Sequence, residues 1–189
     1  MTKILIIDIE TTNFSPKKDK IVEVGIVALD LMNGNTEIVF DEIIHEPGIK
    51  QIDVEKRWVF ENSDIGDQFF DHDCRNLEMN KSSEISAFDD IQKILNSYPL
   101  GATAFNKAFD FGFMKHRGFI FPKELRCPMI LATNICKLPA KRGGYKWPKV
   151  EEAYKYFFPG KSYVEKHRGA DDAIHEAEIV YKIYKLGLF

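Results

Sequence analysis

Cysteine is scarce in this chain: Cys74, Cys127 and Cys136 are the only three among 189 residues. Odd in number and without close Cys/His pairs, they suit neither a disulfide framework nor a zinc knuckle, so reduced thiols and no zinc are expected. Long apolar runs are missing as well. No stretch approaches the ~18 residues of a membrane helix, and the opening segment has only Ile4 to Ile7 between Lys3 and Asp8, too short for a secretory core. A soluble, cytoplasmic protein with no membrane partner is therefore expected. Nor is there an excess of positive charge. A net charge of −3 argues against a broad basic face for coating duplex DNA.

The 44% hydrophobic content suits one globular domain over 1–189, long enough to bury roughly 70% of the surface its unfolded form exposes. Charge is unevenly spread along it. Between Lys137 and Arg168, nine basic residues face three acidic ones, a local balance of +6. Two readings of that run stand side by side: a solvated loop and helix face, or a local track for a nucleic-acid backbone leading to His167.

Apolar patterning indicates an α/β fold. Lys3 to Ile9 reads as a strand buried on both faces, and Ile21 to Leu31 as a second, with Gly25 inside it. Asn33-Gly34 is a hairpin signal before Thr36 to Ile44, so three antiparallel strands open the fold. Pro47-Gly48 closes them, and the acidic, aromatic-bearing stretch from Glu46 to Lys81 suggests short helices and loop. A helix capped by Ser83 follows, with Ile85, Phe88, Ile91, Leu95 and Tyr98 at helical spacing. Gly101 to Phe105 reads as a strand, Lys107 to Arg117 as a helix, and Leu125 to Ile130 as a brief strand or turn interrupted by Pro128. Further helices are expected from about Met129 to Lys137, from Val150 to Phe158, and from Gly169 to Leu186.

Three charged clusters fall at the ends of these elements. Residues two apart on a strand point the same way, so Asp8 and Glu10 would aim both carboxylates at one spot. Asp110 falls in the first turn of a helix after a buried strand, and strand C-termini in α/β sheets gather sites. Asp172 falls in the first turn of the last helix, with His167 on the loop before it. Each has an ordinary alternative: a strand end in solvated charge, or a helix-start acid stabilised by the macrodipole. Taken together, however, carboxylates crowded within ~4–6 Å raise one another's pKa and oppose folding unless cations neutralise them, which points to bound metal. His45, His72, His116 and His175 read as structural or solvated.

The Asp8-Ile9-Glu10-Thr11-Thr12 sequence, the Asn106-Lys107-Ala108-Phe109-Asp110 sequence, and a histidine five residues before an aspartate at His167 and Asp172 resemble the three motifs of the DEDD superfamily of 3′–5′ exonucleases. The histidine points to the DEDDh branch, since the sister branch carries tyrosine where this chain has Arg168. That branch includes the proofreading subunit of bacterial DNA polymerase III, RNase T and oligoribonuclease. The similarity runs from Ile4 to the last helix. Asn13, Gly169 and Cys127-Pro128 depart from the common pattern, and none is a metal-ligand position.

The resemblance implies a ribonuclease H-like fold, a mixed five-stranded sheet flanked by helices with its first three strands antiparallel. It implies two Mg²⁺ or Mn²⁺ ions held by Asp8, Glu10, Asp172 and Asp110, with His167 as general base. Asn106, Thr11 and Thr12 would contact the substrate. Phe14 is read as packing or base stacking, and Trp147 as a packing anchor. The expected activity is a metal-dependent 3′–5′ exonuclease acting on single-stranded or frayed DNA, with RNA trimming and a non-catalytic, polymerase-associated binding module as alternatives. The resemblance is compatible with a polymerase partner, and with a monomer or a dimer.

Overall fold

The computed structural model describes residues 2–44, 46, 81–161 and 163–189, with the backbone alone over 81–86. Strands β1 (Lys3–Thr11), β2 (Ile21–Asp30), β3 (Thr36–Ile43) and β4 (Ala102–Thr103) form a sheet in the order β3-β2-β1-β4. The first three are antiparallel, and β4 joins β1 in parallel. Helices α1 (Lys81–Ser97), α2 (Lys107–His116), α3 (Pro128–Cys136), α4 (Val150–Phe157) and α5 (Gly169–Lys185) complete the described chain.

Alternation along β1 explains the layering, because successive strand side chains point to opposite faces. Leu5, Ile7 and Ile9 pack with Ile91 and Leu95 of α1 and Phe111 and Phe113 of α2. Ile4 and Ile6 face the other way and meet Ala173, Ala177 and Val180 of α5. Small alanines there let α5 lie close to the sheet. A third cluster, including Met129, Leu131, Val150, Ala153, Ile179 and Ile183, fastens α3 and α4 to α5.

The expected meander is present, with Asn33-Gly34 inside a connection from Leu31 to Asn35 and Gly34 at φ +81°. The expected fifth strand is reduced, among the described residues, to one parallel bridge between Ala102 and Glu124. Proline accounts for this: Pro128 occupies the first turn of α3, so the extended segment ends almost as soon as it pairs. The strand read over Gly101 to Phe105 likewise shortens to two residues. Ser83 lies within α1 rather than capping it, since that helix already runs from Lys81. The readings on Pro47-Gly48, on the 47–80 stretch and on His45, His72 and Cys74 lie outside the described residues. Among the described residues, no helix is long and apolar enough to cross a membrane.

Candidate active site

Asp8 and Glu10 continue the face of β1 that Ile4 and Ile6 begin, so both carboxylates are directed to the α5 side of the sheet. β4 stops after two residues, and β1 runs on beyond it. Past that end, the Ile9 amide, between the two acids, is a hydrogen-bond donor to the Asp110 carboxylate. Burial is the dominant influence on Asp110, lifting its carboxyl to about 8 against the downward pull of its own amide and that of Ile9. The first turn of α2 thus closes the open edge of β1 with a carboxylate.

The start of α5 reaches the same place from above. Gly25, opposite Asp8 on β2, lies directly under Gly169, and a Cβ on Gly169 would stand 2.7 Å from the Gly25 nitrogen. Glu23, two residues along β2 and fully buried, ties this junction by accepting the Gly169 amide at 2.9 Å and the Arg168 Nε at 2.9 Å. Asp172 organises the loop in front. Its Oδ1 accepts the Lys166 amide at 3.1 Å and the Tyr163 hydroxyl, and its Oδ2 accepts the Arg168 amide at 3.0 Å. Drawing both neighbours' amides onto one carboxylate leaves His167 at the apex of a tight turn, at φ +55°. A non-glycine residue in that region costs on the order of 1–3 kcal/mol, strain that packing around it must sustain.

These elements bring Glu10, His167 and Asp172 together so that one ligand atom from each lies within 4.8 Å of the others. Asp8, Glu10, Asp110, His167, Glu165 and Glu176 line one cleft of about 370 Å³. Its electrostatics are those of crowded acids. Burial, then Glu176, Glu10, Asp110 and Asp172, push the Asp8 carboxyl well above the carboxylate range. Glu10 is raised by burial and by Asp172, and Glu165 is pushed up to about 7, chiefly by burial. Burial lowers the His167 pKa, a shift opposed by Asp172 and Glu151. The imidazole is accordingly neutral near pH 7, with Nδ1 3.8 Å from a Glu10 oxygen. Carboxylate oxygens are the donors that Mg²⁺ and Mn²⁺ prefer, and a cation would relieve the repulsion that raises these acids. The residues present fit such ions.

The three sequence clusters therefore converge. Thr11, Thr12 and Asn106 also line the cleft. The hydroxyl of Thr11 donates to the Asn13 carbonyl at 2.7 Å, and that of Thr12 accepts the Lys20 amide at 2.9 Å, so both shape the loop. Phe14 stands 83% exposed at the rim, edge-on to Phe109 with ring centroids 6.3 Å apart. Trp147 is 67% exposed, which corrects its reading as a packing anchor. His175 is structural, stacked on Tyr163 with centroids 4.0 Å apart.

Sequence reading missed three participants: Glu23, Tyr163 and Glu176. Glu176 is almost wholly buried beneath the cleft and accepts the Phe105 amide at 3.2 Å. Its spacing of four from Asp172 on one helix was the available signal, because such residues share a face. Glu23 and Tyr163 had no such local mark.

No protein-family model matches the chain, and no curated protein is similar to it in sequence. Solved structures are similar in fold over nearly its whole length. E. coli exonuclease I in complex with a dA16 oligonucleotide superposes with a TM-score of 0.56 at 11% identity, covering 98% of this chain and 41% of that one. The nuclease domain of 3'hExo, a DEDDh family member bound to rAMP, gives 0.57 at 16% identity, with 99% and 94% coverage. The fold is the one these exonucleases share. A 3′-exonuclease recognising the histone mRNA stem-loop gives 0.58 at 15% identity, with 99% and 83% coverage. This chain thus spans about two-fifths of exonuclease I and most of the length of the other two.

Proposed function

We propose that this chain is a metal-dependent 3′–5′ exonuclease that hydrolyses the 3′-terminal phosphodiester of single-stranded or frayed DNA, releasing nucleoside 5′-monophosphates. The observation that carries the reading is the meeting of Glu10, His167 and Asp172, one ligand atom of each within 4.8 Å of the others, beside a cleft lined by Asp8, Glu10, Asp110, His167 and Glu176. The shared exonuclease fold supports it. In this reading Asp8, Glu10, Asp110 and Asp172 hold two Mg²⁺ or Mn²⁺ ions, which supply Lewis-acid charge at the scissile phosphate.

The chain's own residues do the rest. His167, neutral because burial lowers its pKa, accepts a proton from the attacking water as general base. The turn wrapped around Asp172 keeps its ring at the cleft. Phe14 offers an exposed face to the terminal base, while Asn106 and the Thr11–Thr12 backbone contact the terminal nucleotide. A duplex end must fray to enter, since that nucleotide needs to be unpaired. RNA is the alternative substrate on the same chemistry, a reading favoured by the neighbour solved with a histone mRNA stem-loop.

The test uses 5′-labelled single-stranded DNA and RNA of equal sequence, with Mg²⁺, Mn²⁺ or EDTA. A metal-dependent ladder shortening from the 3′ end is expected, abolished by Asp8→Ala and lowered roughly 10²–10⁴-fold by His167→Ala. An Asp8→Ala rate equal to the wild type would overturn the mechanism. Tight strand binding without any product in Mn²⁺ would favour a non-catalytic module.

A further inference from the structure

The basic segment between α3 and α4 is a built feature. Lys137, in the left-handed conformation at φ +50°, ends α3 and launches a hairpin. Its arms are held by the Lys146 amide donating to the Leu138 carbonyl at 2.9 Å and the Ala140 amide to the Gly144 carbonyl at 3.1 Å, with a bridge between Pro139 and Tyr145. At the tip, Gly143 and Gly144 adopt φ +88° and +74°, and a Cβ on either would meet nothing within 4 Å, so the tip stands in solvent.

The side chains it displays alternate between cationic and aromatic. Lys141, Arg142 and Lys149 are exposed and have no carboxylate within ion-pair distance among the described residues, whereas Lys146 pairs with Glu152. Tyr145 and Trp147 are 52% and 67% exposed. Rings interleaved with positive charge are what a single strand requires, since bases stack on the rings and phosphates meet the cations. An acidic protein surface would use the charges and leave both rings in water.

The hairpin is also continuous with the cleft. Pro148 is buried and Val150 lines the cleft wall. Lys149 is close enough to influence both His167 and Glu165. Three residues span at most about 11 Å, so the Trp147 backbone lies within that distance of the wall. We propose that the 137–149 hairpin is the docking surface for the single strand upstream of the terminal nucleotide. This rests on the exonuclease reading of the cleft, because it takes the strand's 3′ end to lie there.

Two variants, Lys141→Ala/Arg142→Ala and Tyr145→Ala/Trp147→Ala, test the assignment, each checked for an unchanged thermal midpoint. Affinity for a fluorescent dT oligomer of about 12 nucleotides is measured by anisotropy in EDTA across a salt series, and turnover is measured on that oligomer and on a dT dinucleotide. Each variant should bind the oligomer about 10-fold more weakly, while dinucleotide kcat/KM stays within about twofold of wild type. The charge variant should flatten the log–log salt slope by about 1.4, or ~0.7 for each lost phosphate contact. Unchanged oligomer affinity in both variants overturns the proposal, as does an equal loss on the dinucleotide. An effect of the charge variant alone would make the hairpin a site for any polyanion and likewise overturn it. Oligomer binding that depends on the hairpin, without turnover of either substrate by wild type, would sustain the docking surface while removing the exonuclease reading.

Discussion

Gly25 of β2 and Gly169 of α5 touch backbone to backbone: a Cβ built on Gly25 would stand 2.0 Å from the Gly169 carbonyl carbon and 2.1 Å from the Ala170 nitrogen. Neither obstacle is a flexible side chain. The contact sets how far α5 descends onto the sheet, and so how near Asp172 comes to Asp8 and Glu10. Gly25→Ala should therefore cost more stability than Gly169→Ala, whose Cβ meets its nearest atom at 2.7 Å. We expect a loss of about 3 kcal/mol or more for Gly25→Ala, in the range of overpacked core positions. Chemical denaturation checks this, and equal midpoints for the two variants would contradict it.

Glu23 is a fully buried acid whose partners are the Arg168 side chain and the Gly169 amide, the two residues that lead from His167 into α5. Glu23→Ala leaves the buried Gly169 amide without its acceptor, a cost of about 1–3 kcal/mol, while the partly exposed Arg168 loses a charged partner that solvent in part replaces. The variant should be destabilised by about 2 kcal/mol and turn over more slowly, because the His167 turn loses its anchor. Full activity in a Glu23→Ala protein of wild-type stability would show the pair to be idle.

Glu176 adds a negative charge beneath a site already crowded with acids, and burial followed by Asp110 raises its carboxyl well above the usual range. Glu176→Gln keeps an acceptor for the Phe105 amide and removes the charge. Metal-free protein should become more stable at pH 8, while Mn²⁺ affinity by calorimetry should fall at least about tenfold, since even at the dielectric of water one carboxylate attracts a divalent ion about 6 Å away by roughly 1.4 kcal/mol. Glu176→Leu deletes the acceptor as well and should destabilise. A Glu176→Gln protein less stable than wild type at pH 8 in EDTA would refute the charge argument.

Stability in EDTA should depend on pH with a definite sign. Asp8, Glu10, Asp110 and Glu176 all have folded pKa values above their unfolded ones, Asp110 at about 8. Between about pH 4, where unfolded carboxylates titrate, and pH 8, the native state holds more protons than the unfolded chain, so stability falls as pH rises. The thermal midpoint should drop from pH 5 to pH 8 in EDTA. Saturating Mg²⁺ or Mn²⁺ should recover most of the loss, since a ligand of the native state alone stabilises it by mass action. A midpoint that rises with pH in EDTA would exclude this arrangement of charges.

The helices and the antiparallel meander were readable because their signals are local. Ile85 to Tyr98 repeat at helical spacing, Val150 to Phe157 form an apolar stripe, and Asn33-Gly34 marks a turn wherever it falls. The fifth strand that the resemblance implied is not shown among the described residues, and the reading of Leu125 to Ile130 as a brief strand or turn stayed open, for the opposite reason. Whether Leu125 extends a sheet depends on how soon Pro128 starts a helix, a competition between neighbouring elements that pattern alone does not resolve. Trp147 was misread because burial of an aromatic depends on what surrounds it, and its own sequence neighbours carry no record of that.

The chain's linear order determined which residue types could form a site, since Asp8, Glu10, Asp110, His167 and Asp172 sit at element ends that strand and helix periods dictate. Only folding decided that they meet, through Asp110 closing the edge of β1, Gly25 admitting Gly169, and Glu23 gripping the turn at Arg168. Those contacts join residues more than 90 or 140 positions apart, and a close approach between such distant backbones leaves no periodic trace in either segment. The face of β1 on which the acids lie is a property of the strand. That a buried Glu176 waits beneath them is a property of the helix docked above.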